Sequence, residues 1–212
     1  MRLFVKLFLG LLVVGFLGLG IYFGPAQFQT LTTAPDLPNE KVLRNLVTAE
    51  NGPTSVKYIL NASQPVDDLI LAHTAFVVEW ENGDKFVIDL GMDAESSAEF
   101  AVYFTDLFGA GEETFYGSVA DQLGSDVANV KGVSATHLHA DHVQGLEAFC
   151  EAGGDGAILL QTETQRDVHN STTRESAEKV AQSCLIHGKL KGDKVLTNDA
   201  FPGVGIIPMG GH

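Results

Sequence analysis

Apolar and polar positions divide the chain into three stretches. Leu7 to Phe23 is a run of 17 uncharged, mostly apolar residues. As a helix rising about 1.5 Å per residue it would span about 25 Å, near the lower limit for crossing a hydrocarbon layer of about 30 Å. Residues 27–54 follow, with Pro35, Pro38 and Pro53 among Asp36, Asn39 and Asn51-Gly52. So many turn formers predict a spacer, opening into one or two strands by residue 66. From residue 55 the apolar positions take up strand and helix spacings, which predicts a folded domain over 55–212.

Within that domain, Leu69 to Trp80 is apolar and β-branched, Glu81-Asn82-Gly83-Asp84 interrupts it, and Lys85 to Leu90 is apolar again. Asn-Gly between two such runs predicts a β-hairpin whose central turn residues both have positive φ. Residues 94–108 predict a helix and Val119 to Val130 a second, looser one. Gly132 to Thr136 reads as a short buried strand. A helix is expected from Gly145 to Glu151, ending near Gly153-Gly154, then a strand over Ala157–Gln161 and a helix over about 164–187. Gly188 stands where that helix would be capped, with His187 and Lys189 at the negative end of its dipole. Short strands are expected at Lys194–Leu196 and Val204–Pro208, around a turn at Asn198-Asp199. Helices and strands mix without a fixed βαβ period or an internal repeat, so the class is α+β.

Composition narrows the function. The chain holds 13 Lys+Arg against 27 Asp+Glu, a net charge of −14, with 45% apolar residues. A core of ordinary size is therefore available and a disordered chain is excluded. Residues 1–26 contain Arg2 and Lys6 and no acid, so the remainder is more acidic still. Nucleic acid is not expected as a partner, because phosphate binding needs a concentrated basic face. The basic residues ahead of Leu7–Phe23 predict a membrane-targeting segment over 1–26 that sends the bulk of the chain out of the cytoplasm. Two fates stay open: an uncleaved anchor holding the membrane through residues 7–23, or a signal cleaved after Gly24-Pro25-Ala26. Cys150 and Cys184 are the only cysteines; they either pair in an oxidising compartment or stand as two buried thiols.

The chemistry concentrates in Thr136-His137-Leu138-His139-Ala140-Asp141-His142, followed by Val143-Gln144-Gly145. His137 and His139, two apart on extended backbone, project to the same side, and each can give an imidazole nitrogen to one metal. Asp141 and His142 fall where the chain turns into the next helix and can address a second, neighbouring metal. Neutral imidazole with carboxylate suits zinc, and iron or manganese less well. Burying three imidazoles in six residues without metal or partners would be costly.

This loop resembles the hallmark of the metallo-β-lactamase superfamily, a His-x-His-x-Asp-His segment after a buried strand. Asp89-Leu90-Gly91 is similar to that family's Asp-x-Gly strand end, Leu159 to Arg166 to the strand and helix after the loop, and Met209-Gly210-Gly211-His212 to its Gly-His. The resemblance, over roughly residues 55–212, implies a four-layer αββα sandwich behind the N-terminal helix. It implies that His137, His139 and His212 hold one zinc, and that Asp141 and His142 belong to a second. Relatives continue past this last His with further strands and ligands, so the 212 residues are expected to be a C-terminally truncated record, inactive as it stands. Asp89 is either a support behind the ligands or a turn residue only.

The implied activity is metal-dependent hydrolysis, in which a metal-bound hydroxide attacks a small ester-, thioester-, lactone- or lactam-like substrate and Asp141 orients it and takes its proton. A zinc β-lactamase is one substrate reading. A membrane-tethered metal-binding protein without turnover is the rival from another class. Elsewhere, His73 in an apolar strand reads as a core residue, His169 as a surface one and His187 as a helix-end one. Trp80 and the set Phe100, Tyr103, Phe104 and Phe108 read as core.

Overall fold

A computed structural model describes residues 2–32, 35 and 37–210, so His212 and its expected role lie outside the described residues. The chain divides into two compact units, one holding the N-terminal helix and the other formed by Pro38–Ile207.

The N-terminal helix, α1, runs over Arg2–Thr32. Its segment Phe4–Ile21 is long and apolar enough to cross a membrane, with a mean hydropathy of 2.4 and none of its described side chains buried. It continues through Gly24-Pro25-Ala26 rather than stopping at the end of the apolar run. Proline takes away one amide donor but already holds a helical φ.

In the main unit the predicted spacer contains an unforeseen helix, α2 (Glu40–Val47). The Asn39 side chain caps it by accepting from the Val42 amide, and Glu40 pairs with Arg44 one turn on. At eight residues it is too short to stand out among the prolines around it. Strands β1 (Ser55–Val66) and β2 (Leu69–Glu79) then form a long antiparallel hairpin, with one extra residue, Asn61, bulging out of β1. The predicted hairpin of β2 with β3 (Lys85–Ile88) is present. Its loop is longer than an Asn-Gly turn alone requires: Trp80 and Asp84 close it by a 3.0 Å amide bond, and only Gly83 takes positive φ, at 87°.

Helix α3 (Ala94–Phe108) fills its predicted range. It leads through β4 (Thr114–Phe115) to α4 (Val119–Leu123), and the rest of the predicted loose helix is a 3-10 turn over Gly124–Asn129. Strand β5 (Val130–Ser134) delivers the chain to the histidine loop, followed by α5 (Ala140–Val143), α6 (Leu146–Phe149) and a wide turn over Cys150–Gly154. Strand β6 (Ile158–Leu159) comes next.

The single helix expected over 164–187 is instead α7 (Glu163–Asp167), α8 (Arg174–Ala181) and strand β7 (Ile186–His187). The chain leaves α7 at Val168, which is extended at φ −116° and ψ 113°, and Asn170 shapes the turn that follows. Its side-chain oxygen accepts from both the amide and the hydroxyl of Thr172, at 2.8 and 2.7 Å, which draws the backbone out of helical geometry. His187 is accordingly a strand residue, and the Gly188 amide is used in the sheet, on the Leu159 carbonyl, not in a helix cap. The two short strands expected after residue 190 are present only as single bridges, Lys191 to Thr197 and Leu196 to Ile206.

Among the described residues seven strands form one mixed sheet in the order β4-β1-β2-β3-β5-β6-β7. The hairpin strands pair antiparallel, while β3, β5, β6 and β7 run parallel. Side-chain alternation gives the sheet two packed faces. Ala75, Val77, Val87, Val133 and Leu159 meet Val119, Leu146, Phe149 and Val180 from the helices on one face. Val78, Trp80, Phe86 and Leu160 meet Phe201, Val204 and Ile206 on the other. Trp80 is core as expected, but the aromatic row of α3 is not: Tyr103 and Phe108 are exposed.

Cys150 and Cys184, whose state the sequence leaves open, are joined as a disulfide with Cα atoms 5.9 Å apart across 34 positions. Closing a loop of that length removes unfolded-state entropy worth about 3–4 kcal/mol. Urea unfolding of a Cys150→Ser, Cys184→Ser variant is expected to show a loss of that order. A loss below about 1 kcal/mol would contradict it.

Candidate metal centre

Strands β3 and β5 lie side by side and parallel, so their C-terminal ends open at the same edge of the sheet. Asp89 follows the first and Thr136 the second. The Asp89 amide continues the ladder onto the Ser134 carbonyl at 2.8 Å. Asp89 is 3% exposed and held at φ 64°, a left-handed conformation that aspartate tolerates better than most residues. Its carboxylate accepts from the Thr136 amide at 2.7 Å and from the Thr136 hydroxyl at 2.9 Å, and lies 2.9 Å from His142 Nδ1. Asp89 thereby ties the start of the histidine loop to its end.

Two backbone bonds tie the same loop to β3: Leu90 donates to the His142 carbonyl and Gly145 to the Gly91 carbonyl, each at 2.8 Å. Between these ties the ring centroids of His137 and His139 stand 4.6 Å apart, and those of His137 and His142 stand 3.9 Å apart. His139 sits at the start of α5, and its Nε2 is 3.0 Å from the Thr172 hydroxyl, supplied by the turn that Asn170 creates. Asp141 Oδ2 lies 3.2 Å from His73 Nδ1 and 3.4 Å from His142 Nε2.

The loop residues named from the sequence, His137, His139, Asp141 and His142, thus come together with Asp89. Three partners were not foreseen. Thr136 and Thr172 contact the imidazoles, and His73 is brought to Asp141 although the strand pattern marks it only as core. The sole sequence hint for His73 is parity, since it shares the helix-covered face with Ala75 and Val77. His169, expected at the surface, is half-buried with its Nδ1 enclosed and without a hydrogen-bond partner among the described residues.

Among the described residues no three His, Cys, Asp or Glu side chains are arranged to hold a metal ion. They are arranged as hydrogen-bonded pairs. Burial works against a charge on His142, but the carboxylates of Asp141 and Asp89 outweigh it and raise its pKa from 6.5 to about 9. Burial would likewise raise Asp141, yet His142 and His73 hold its carboxyl well below the usual range. The cluster therefore stabilises positive charge here with a proton. Three neighbouring imidazoles with two carboxylates are a donor set that fits a divalent cation of zinc type in place of that proton.

Both groups make stability depend on pH. The folded pKa of His142 is raised, so its contribution to stability is complete below pH 6.5 and is lost as pH rises through about 9. Asp141 is lowered, so its contribution is present above pH 3.8 and is lost in acid. Chelator-treated protein is expected to unfold at progressively lower urea between pH 6.5 and 9. Adding zinc in that window is expected to release about one proton, measured by titration calorimetry in buffers of different ionisation enthalpy. Uptake without proton release would contradict the assignment of charge to His142.

A family model described as the metallo-beta-lactamase superfamily matches residues 70–205. No curated protein matches the chain. Solved structures similar to it include an N-acyl homoserine lactone hydrolase with the product N-hexanoyl-L-homoserine bound at its catalytic metal center, at 14% identity and a TM-score of 0.47. The comparison covers 68% of this chain and 64% of that one. B. thuringiensis AiiA with N-decanoyl-L-homoserine at its active site is similar at 15% identity, with a TM-score of 0.47 and the same coverage of 68% and 64%. DIM-1 metallo-beta-lactamase exposed to ceftazidime is similar at 10% identity, covering 70% and 56%, with a TM-score of 0.33. The chain spans less than two thirds of the length of each of these structures.

Proposed function

The chain belongs to the metallo-beta-lactamase superfamily, and from that premise we propose that it is a metal-dependent hydrolase of small ester-, thioester-, lactone- or lactam-like substrates. The observation that carries the reading is the convergence of His137, His139 and His142 with Asp141 and Asp89 at the shared end of two parallel strands. His137 and His139 would hold one cation, with His212 as the third imidazole expected from the sequence, and Asp141 and His142 would hold a second.

Zinc bound there would supply Lewis acidity, polarising the scissile carbonyl and acidifying water. The protein's own groups do the rest. Asp141, whose carboxyl His142 and His73 hold well below the usual range, accepts a hydrogen bond from the attacking water and orients it. Asp89 and Thr136 keep the His142 ring turned by contacts on Nδ1, which leaves Nε2 as its ligating atom. Thr172 restrains the His139 ring by a contact on the other kind of nitrogen, Nε2.

The apolar N-terminal helix and the Cys150–Cys184 bridge both support a domain outside the cytoplasm, anchored if α1 is retained. Elemental analysis of the full-length protein is expected to find two zinc equivalents. It is also expected to hydrolyse at least one member of a thioester, lactone and β-lactam panel, to stop on chelation and to recover with zinc. Stoichiometric metal without turnover would favour the tethered metal-binding protein. No stoichiometric transition metal would end both readings.

A further inference from the structure

We infer that His73 is a positioning residue for Asp141, donating from Nδ1 to one carboxylate oxygen and leaving the other as the atom presented to a metal. The inference rests on the metal-hydrolase reading and adds to it a residue outside the histidine loop, 68 positions away in sequence.

His73 is 5% exposed, on the face of β2 that carries Ala75 and Val77 into the core. An aliphatic side chain would fill that place at less cost, because a buried imidazole must keep its polar atoms bonded. Its Nδ1 finds Asp141 Oδ2 at 3.2 Å. Two features fix the ring. Phe100 of α3 meets it edge-on, with centroids 5.0 Å apart at 86°. Across the hairpin it faces Ala62, fully buried and too small to push it aside, immediately after the bulge at Asn61. His73 and, at 3.4 Å, His142 Nε2 both meet the Asp141 carboxylate on Oδ2. A carboxylate held by one oxygen cannot swing freely, and the loss of such outer partners costs metal sites about 10–100-fold in affinity.

The test compares His73→Leu, which removes the donor, with His73→Asn, whose amide nitrogen stands near the Nδ1 position. Zinc affinity is read by competition with a chromogenic chelator on the full-length protein, alongside metal stoichiometry, urea unfolding of the metal-free form, and kcat and KM. His73→Leu is expected to keep two zinc sites but weaken one about 10–100-fold, to lower kcat with little change in KM, and to unfold at no lower urea than wild type. His73→Asn is expected to restore affinity to within about threefold. Wild-type affinity in His73→Leu overturns the inference while leaving the hydrolase reading intact. Equal losses in both variants, with weakened unfolding, assign His73 to packing and overturn it. Loss of a whole zinc equivalent in both makes His73 a ligand and overturns it. A wild-type protein that binds no zinc overturns the reading and the inference together.

Discussion

Replacing Asp141 with alanine is expected to lower kcat by about 10²–10⁴-fold, the range for losing a positioned proton-handling group, and to release one of two zinc equivalents. Asp141 is the point at which two imidazoles from distant parts of the chain meet, His73 from β2 and His142 from the loop. Its removal leaves His142 with only Asp89 as a carboxylate partner. The raised pKa of His142 therefore falls, and the metal-free protein should lose part of its stability change between pH 6.5 and 9. Asp141→Asn keeps the size and one hydrogen-bond acceptor but carries no charge, and is expected to retain the fold without recovering turnover. Turnover at the wild-type level in either variant would remove Asp141 from the mechanism.

Gly145→Ala is expected to cost about 3 kcal/mol or more, at the upper end of overpacking effects, and to weaken zinc binding with it. A methyl group on Gly145 would stand 2.2 Å from the Leu90 carbonyl oxygen and 3.2 Å from the Leu90 carbonyl carbon. Both atoms are backbone, so no side-chain rotation relieves the clash. The conformation itself is not the obstacle, since Gly145 has φ −72°. What the methyl group would force apart is the pair of segments joined by Leu90 to His142 and Gly145 to Gly91. Those bonds set where His142 stands relative to Asp89, so a stability defect and an affinity defect should appear together in urea unfolding and zinc titration. A variant with unchanged values for both would show that the two segments can separate without harm.

The parts of this fold that were legible in the sequence are local. The β2–β3 hairpin announces itself through Asn82-Gly83, and α3, although its apolar spacing is mixed, fills the range read for it. The loop from His137 to His142 stands out because its three imidazoles and its carboxylate are neighbours in the chain. Misread elements depend on forces a local pattern does not carry. The helix expected across 164–187 is interrupted from Val168, ahead of a turn held by the Asn170 side chain, and Ile186-His187 becomes a strand because β6 offers it an edge. The aromatic residues of α3 look like core by type, and only the packing of the helix leaves Tyr103 and Phe108 in solvent. His73 and Thr172 reach the loop from 68 and 33 positions away, distances over which spacing says nothing. Asp89 was legible as a strand end, but its hold on Thr136 and His142 required the parallel pairing of β3 with β5.

The bridge between Cys150 and Cys184 turns the intervening chain into a covalent hoop. Thr172, which touches His139, lies inside that hoop, as do Gln165, bonded to the Ala135 carbonyl at 2.8 Å, and Lys179, bonded to Gln144. The ends of the ring are pinned 5.9 Å apart, and its middle is moored around the histidine loop by these three side chains. Reducing agents would open the hoop while leaving those three moorings in place.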